Sequence, residues 1–540
     1  MREIGILLNN LKKSLLQKSV LSKILPIVLT LPLYHFTTLP LLCQDLPGKA
    51  IFEQKCAQCH GVNGTPFQQD PNNPSEYLKH PDGTLKTDEK AAPAASLVFP
   101  RPRDFTRGAF KVRATPNGEI PFDGDLVHII AVGMPGSSMP SWKEALTEHQ
   151  IRDVVAYIKT FSDRFQSEKP SSPLVIGKPL KATESSLKKG REIFMELQCF
   201  QCHGMEGRAD GPSAAGLNDD WGNPIPPANF HKGWNFRGGH HVENIYRTIM
   251  TGFNGTPMPS YADAFGDDKD KPWHLANYIH SLSADQPNTQ EVLSARYTSD
   301  KLPDSPDGAL WNKLDPVDFP LSGQIIQEPR HFTPSIDMIS VRAAYNNEEV
   351  ALLLEWDDPT RDVTAPADSV QIQIPMILKE SEKPYFMEGD PRNPANLWRW
   401  DAKTDRLSNL RSTGMKSSKR ALESQSLFSS SSTFSDGQWR LLVKRKRASE
   451  PLQGLSLEGS QFVPIAFSAW DGGKKEQDFR RSLSTWYYIF LEPPASKAPY
   501  AYALFAFFLV AGLERRLLKK SSKLEVPCLA GRRGSSKSKG

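Results

Sequence analysis

Apolar residues follow two different periods along the chain. In the N-terminal half they fall in short runs at helical spacing, and Gly48–Cys56, Asp153–Phe161, Gly190–Cys199 and His274–Leu282 each read as a helix with one buried face. From Ser294 to Pro494 the pattern changes to alternation, with tryptophans and turn residues between the runs. Ser340–Tyr345 and Val350–Trp356 flank Asn346-Asn347 as a hairpin, and Val370–Ile374, Trp439–Lys444, Pro464–Trp470 and Trp486–Leu491 alternate in the same way. An all-β sandwich accounts for this region. The serine-rich stretch Ser424–Ser435 reads as a mobile loop interrupting it.

Both ends depart from these patterns. Arg2, Lys12, Lys13, Lys18 and Lys23 precede the mostly apolar run Ile24–Leu42, which is the layout of a secretory signal. Pro26, Pro32 and Pro40 argue against a spanning helix there. Leu42, next to Cys43, departs from the small residue usual before an acylated cysteine, so residues 1–44 read as a signal peptide or N-terminal anchor. At the other end Ala498–Leu513 is uncharged and apolar, and Arg515, Arg516, Lys519 and Lys520 follow it. It predicts a transmembrane helix over 498–513 with a basic cytoplasmic tail over 514–540. That would tether the body to the periplasmic side of the cytoplasmic membrane. A terminal helix docked on the protein is the alternative.

At 540 residues the chain is too long for one core. Its net charge of +5 comes from the ends: residues 1–44 carry +4 and residues 514–540 carry +7, leaving −6 on the body. The charge gives no support for nucleic-acid binding. Six cysteines and 44 prolines fit neither a disulfide scaffold nor a polytopic membrane protein.

The cysteines lie in an internal repeat. GKAIFEQKCAQCHG (Gly48–Gly61) recurs as GREIFMELQCFQCHG (Gly190–Gly204), VHIIAVGMPGSSMPSW (Val127–Trp142) as IYRTIMTGFNGTPMPSY (Ile245–Tyr261), and DVVAYIKTFS (Asp153–Ser162) as HLANYIHSLS (His274–Ser283). Each unit reads as a helix, a cysteine-rich turn, a middle segment, a Met-Pro loop and a closing helix. Cys56, Cys59 and His60, and likewise Cys199, Cys202 and His203, have the spacing for covalent c-type haem. Two thiols three residues apart can each bond a haem vinyl group, and the adjacent histidine then faces the iron. A disulfide or half of a zinc site is the bland reading, but zinc wants about four ligands where each unit offers three.

Met139 and Met258 occupy matching places in the two loops, each followed by proline, and are the candidate sixth ligands opposite His60 and His203. Met134 competes in the first unit, but the second has Phe253 there. Histidine–methionine ligation raises the iron potential and leaves no open position, so each haem c would carry one electron.

On these motifs residues 48–163 and 190–284 resemble class I cytochrome c domains, in which the first and last helices cross. The first unit carries an extra stretch, Thr65–Pro100, read as a surface loop, followed by Arg101, Arg103, Arg107, Lys111 and Arg113, which serve either a haem propionate or a solvated face. The later region resembles the haem-b-binding γ subunit of the ethylbenzene dehydrogenase family of type II molybdenum enzymes. LEWDDPT (Leu354–Thr360), YFMEGDPRNPANLWRW (Tyr385–Trp400) and AFSAWDGG (Ala466–Gly473) with RRSLSTWY carry that resemblance. It implies a non-covalent haem b ligated by Met387 and a lysine. Where the family places the lysine, five residues before the last-strand tryptophan, stands Arg481, which has no lone pair to give. Lys474, Lys475 or another side chain would have to substitute.

The expected architecture is multidomain: two all-α cytochrome c domains over 45–165 and 187–286 joined by a linker over 166–186, then an all-β sandwich over 290–495. The expected function is an exported, membrane-tethered multihaem cytochrome transferring single electrons. By resemblance its partners are a molybdopterin catalytic subunit and an iron-sulfur subunit, as in nitrite or nitrate oxidoreductase-like complexes. No catalytic residue is assigned within the chain. The alternatives are a di-haem peroxidase-like enzyme, or a ligand-binding β module fused to a di-haem cytochrome.

Overall fold

A computed structural model describes residues 46–521, apart from residues 82, 285, 333, 380–381, 418, 423–426, 449–453 and 495–497. The predicted signal segment with Cys43, and the tail from residue 522 onward, lie outside the described residues. The first helical unit comprises α1 (Pro47–Lys55), α2 (Ala57–His60), α3 (Asp123–Val132) and α4 (Glu148–Ile158). The second repeats it as α5 (Glu184–Glu196), α6 (Phe200–His203), α7 (Val242–Thr251) and α8 (Lys271–Leu282).

Local chemistry sets these helices. Thr147 and Gln150 form a reciprocal capping box at the start of α4, and Thr183 caps α5 through the Ser186 amide. Ile151, Val154, Val155 and Ile158 place the buried face of α4 on α1. The first and last helices cross where each unit has a glycine. A Cβ on Gly48 would stand 2.0 Å from the Asp153 carbonyl oxygen, and one on Gly190 would stand 2.1 Å from that of His274. Matching aromatic pairs lock the crossings, Phe52 with Tyr157 at 5.4 Å and Phe194 with Tyr278 at 5.7 Å, in edge-on or tilted geometry.

The insertion in the first unit is not a bare surface loop. Phe67, Leu85, Ala92 and Ala95 are buried, Gln69–Asp70 pairs with Asn73–Tyr77, and the Tyr77 hydroxyl donates to Asp104 at 2.6 Å.

The β region is built from β1 (Val292–Tyr297), β2 (Met338–Tyr345), β3 (Glu349–Asp357), β4 (Ser369–Pro375), β5 (Ala395–Asp401), β6 (Arg406–Ser412), β7 (Phe428–Ser435), β8 (Gln438–Lys446), β9 (Phe462–Trp470) and β10 (Tyr487–Leu491). These run in the order β6-β5-β4-β9-β10-β1-β2-β3-β8-β7. Strand β9 divides between two layers: Phe462–Ile465 pairs with β10 and Ala466–Trp470 with β4. One core lies between the layers, with Trp400 packed edge-on to Trp356 and Trp439 at 6.0 and 5.0 Å. The other face of β3, through Ala351 and Leu353, is covered by Leu302, Trp311 and Leu314.

The serine-rich stretch is a strand from Phe428 onward, not a mobile loop. Asp436 and Gly437, at φ of 49° and 68°, turn β7 back onto β8 in unbroken register. Residues 424–426 of that stretch lie outside the described residues.

The expected membrane anchor is also corrected. Ala498–Ser521 forms one helix of 24 residues, α9, yet no helix among the described residues is long and apolar enough to cross a membrane. Glu514, Arg515, Arg516 and Lys519 fall inside it, and the uncharged part at about 1.5 Å per residue is roughly 24 Å, short of a hydrocarbon core of about 30 Å. The transmembrane helix, the tether and the periplasmic-membrane placement built on it are therefore withdrawn.

The close crossing yields a test. Gly190→Val should force α5 away from α8 and lower stability by about 1–3 kcal/mol, read as a reduced denaturation midpoint at an unchanged slope.

Candidate functional site

Each Cys-x-x-Cys-His segment closes on a single helical turn that ends at a left-handed glycine, Gly61 at φ 75° and Gly204 at φ 81°. Cys56, Cys59, Cys199 and Cys202 are free thiols. Burial pushes Cys56 and Cys199 up to about 11, so both remain protonated at neutral pH.

The histidines are oriented alike. His60 Nδ1 lies 3.0 Å from the Arg103 carbonyl oxygen and His203 Nδ1 lies 2.9 Å from that of Ala228. Donation from Nδ1 fixes the tautomer and leaves Nε2 with a lone pair for a metal. Two residues after each carbonyl a phenylalanine stacks on the ring: Phe105 on His60 and Phe230 on His203, both at 4.4 Å. Burial pushes His60 down to about 4 and lowers His203 as well, which keeps both neutral and able to ligate. The repeat motifs carried no signal for these partners, because the insertion changes the sequence distance from histidine to carbonyl between the units.

The methionine loops are duplicated down to their hydrogen bonds. The Met134 amide donates to the Met139 carbonyl and the Phe253 amide to that of Met258, each at 3.1 Å. Ser137 and Thr256 accept from the Met139 and Met258 amides. Ser141 and Ser260 tie each loop back to the preceding helix. Met139 and Trp142 pack in one cluster with Cys56, and Tyr261, the counterpart of Trp142, packs with Cys199.

Of the basic cluster, Arg107 is exposed and Lys111 and Arg113 are buried. Arg113 donates to the carbonyls of Thr251 and Gly252, at 2.7 and 3.3 Å, and so clamps the start of the second methionine loop from the first unit. Arg103 lies over the Trp221 ring at 4.3 Å with one buried guanidinium nitrogen unpartnered. Burial, helped by the charges of Arg103 and Arg237, pushes Lys111 down to about 6. Asp104 and Asp219 line the same pocket as Arg103 and Lys111.

The β region grips the second site. Asp357, at the end of β3, accepts from Arg208 and from the Asn229 side chain, each at 2.8 Å, and lies 3.6 Å from Lys232. Asn229 stands between Ala228, whose carbonyl orients His203, and Phe230, whose ring covers it. Burial pushes Asp357 up, but Lys232 and Arg208 outweigh it and hold the carboxyl below its ordinary range.

Met387 is buried, 3.4 Å from the Tyr385 hydroxyl. Next to it, Arg481 and Lys419 pair with Glu388 at 2.6 and 2.5 Å beside a cavity of about 420 Å³. Lys419 also donates to the carbonyls of Gly414, Met415 and Ser417, and Lys474 and Lys475 are exposed. Arg481 is buried and has no lone pair to give iron, whereas Lys419, with its side chain 25% exposed, lines the cavity and is held by Glu388 and by carbonyls.

Comparison with known proteins bears on the repeat. Residues 46–162 match the family model described as "Cytochrome c", and residues 185–279 match "Cytochrome C oxidase, cbb3-type, subunit III". Each half of the repeat is thus similar to a cytochrome family, which supports a cytochrome-containing subunit. The chain is similar to the "Putative respiratory nitrate reductase heme subunit ORF7" of Haloferax mediterranei, at 28% identity over 39% of this chain and 75% of that one. It is also similar to the "Dimethylsulfide dehydrogenase subunit gamma" of Rhodovulum sulfidophilum, at 27% identity over 37% of this chain and 79% of the other. Among solved structures, a chain of the reducing HAO-like protein complex of Kuenenia stuttgartiensis is 38% identical, covering 44% of this chain and 97% of that chain at a TM-score of 0.38.

Asp357→Ala should leave Arg208 without its carboxylate, while Lys232 keeps Asp337 at 2.6 Å, and lower stability by about 1–3 kcal/mol. Because the folded carboxyl titrates below its ordinary 3.8, its contribution is complete above that value and is lost as pH falls through the folded pKa. Hydrogen exchange at residues 228–230 should therefore speed up in the variant at neutral pH and in the native protein only in acid.

Proposed function

We propose that the chain is an exported electron-transfer subunit holding two covalent c haems. Cys56 and Cys59 would anchor the first and Cys199 and Cys202 the second. His60 and His203 would be the proximal ligands, and Met139 and Met258 the sixth. When bound, each haem supplies a one-electron iron couple. The observation that carries the reading is the twofold occurrence of one cradle: a histidine with Nδ1 committed to a carbonyl, a phenylalanine on its face, and a methionine loop with the same hydrogen bonds. Arg103, with one buried guanidinium nitrogen unpartnered, would meet the anionic edge of a haem.

The similarity to heme and gamma subunits of reductase and dehydrogenase complexes supports a place in a larger redox assembly. By the resemblance of the β region, its partners would be a molybdopterin catalytic subunit and an iron-sulfur subunit. The grip of β3 on residues 228–230 supports the second unit as the cytochrome nearer the β region.

Met258→Ala should open one of the two sites to carbon monoxide in the reduced protein and remove the methionine–iron charge-transfer band of that haem. An unchanged spectrum would mean that the loop does not ligate. Mild purification of the native protein should bring down a larger subunit and molybdenum near one atom per chain. Isolation alone and free of molybdenum would contradict the assembly.

A further inference from the structure

Two of the motifs that carry the β-region resemblance end in aspartates not used by any step above. Asp358 of LEWDDPT and Asp471 of AFSAWDGG come together with Asp362 and Asp368, so that one carboxylate oxygen from each lies within 4.8 Å of the others. Asp358, Asp368 and Asp471 are buried and Asp362 is half-buried. None of the four forms an ion pair with a described lysine, arginine or histidine. Asp358 is 0% exposed, and its Oδ2 has no hydrogen-bond partner although Oδ1 accepts from the Thr360 amide. An unpartnered buried carboxylate oxygen among three further carboxylates is costly unless a proton or a cation meets it.

Asp362 accepts from the Thr360 hydroxyl at 2.5 Å, and hydrogen bonds fix Asp368 and Asp471 as well. Asp368 accepts from the amides of Asp362 and Gly472 and from the Trp439 indole, at 2.8, 2.9 and 3.0 Å, and Asp471 accepts from the Lys474 amide at 3.0 Å. All donors are oxygens, which excludes the nitrogen and sulfur sets that zinc prefers. Calcium–oxygen bonds of about 2.3–2.6 Å allow oxygens of one shell to lie up to roughly 5 Å apart, whereas magnesium at about 2.0–2.1 Å needs a tighter set.

We infer that Asp358, Asp362, Asp368 and Asp471 form a calcium site that ties the end of β3 to the loop after β9. The site follows Asp357 directly in sequence, so the ion would hold the strand end that presents Asp357 to Arg208, Asn229 and Lys232. Its role is structural.

Full-length protein with its haems attached should contain calcium as isolated or, after chelation, take up one equivalent of Ca²⁺ in titration calorimetry. Magnesium should bind about tenfold more weakly or worse. Unfolding on chelation that calcium reverses supports the site equally. Asp362→Asn, at the half-buried ligand and so the mildest change, should weaken calcium about tenfold or more and leave the haem spectrum unaltered. Folded, calcium-free native protein that takes up no Ca²⁺ at millimolar concentration would overturn the proposal, as would unchanged affinity in both Asp362→Asn and Asp358→Asn.

Discussion

The arrangement of the molecule turns on one carboxylate. Asp357 leaves the β sandwich at the end of β3 and enters a pocket that holds Arg208, Lys232 and the Asn229 amide. A largely buried anion without these partners would be expensive, and Arg208 would be left without its carboxylate, whereas Lys232 also pairs with Asp337. The β region and the second cytochrome domain are thereby bound at the one segment, residues 228–230, that also orients and covers His203. Movement of the β region on its neighbour would be felt at that histidine.

A second contact joins the two helical units. Arg113 gives its guanidinium protons to carbonyls at the root of the opposite methionine loop. Asn254 completes the joint, accepting from the Gly118 amide and donating to the Glu119 carbonyl. The two units are thus joined through side chains as well as through the linker.

The repeat was legible in the sequence because its cysteine spacing, histidine and methionine loop recur in both copies at matching places. The carbonyl partners of His60 and His203 were not legible, since a backbone oxygen leaves no residue signature and the insertion hides its position. The helix crossings were expected from the resemblance to class I cytochrome c domains, and the structure puts Gly48 and Gly190 at them. The strand over Phe428–Ser435 was missed because serine content outweighed the Asp436-Gly437 turn that fixes its register. The tail was misjudged for a different reason. An apolar run next to basic residues resembles an anchor, but the run is too short once the charges inside α9 are counted. The four-carboxylate cluster could not be read from spacing, because Asp358 and Asp471 meet only through the packing of β3, β4, β8 and β9.

The central claim is that each half of the repeat holds one covalent, six-coordinate haem. It is tested most directly by intact-mass measurement after acid-acetone extraction, paired with a pyridine haemochrome spectrum and carbon monoxide addition to the reduced native protein. The account predicts a mass increase of two haems, a c-type spectrum and no carbon monoxide binding at either iron. One covalent haem or none, or carbon monoxide bound by the unmodified protein, would contradict it.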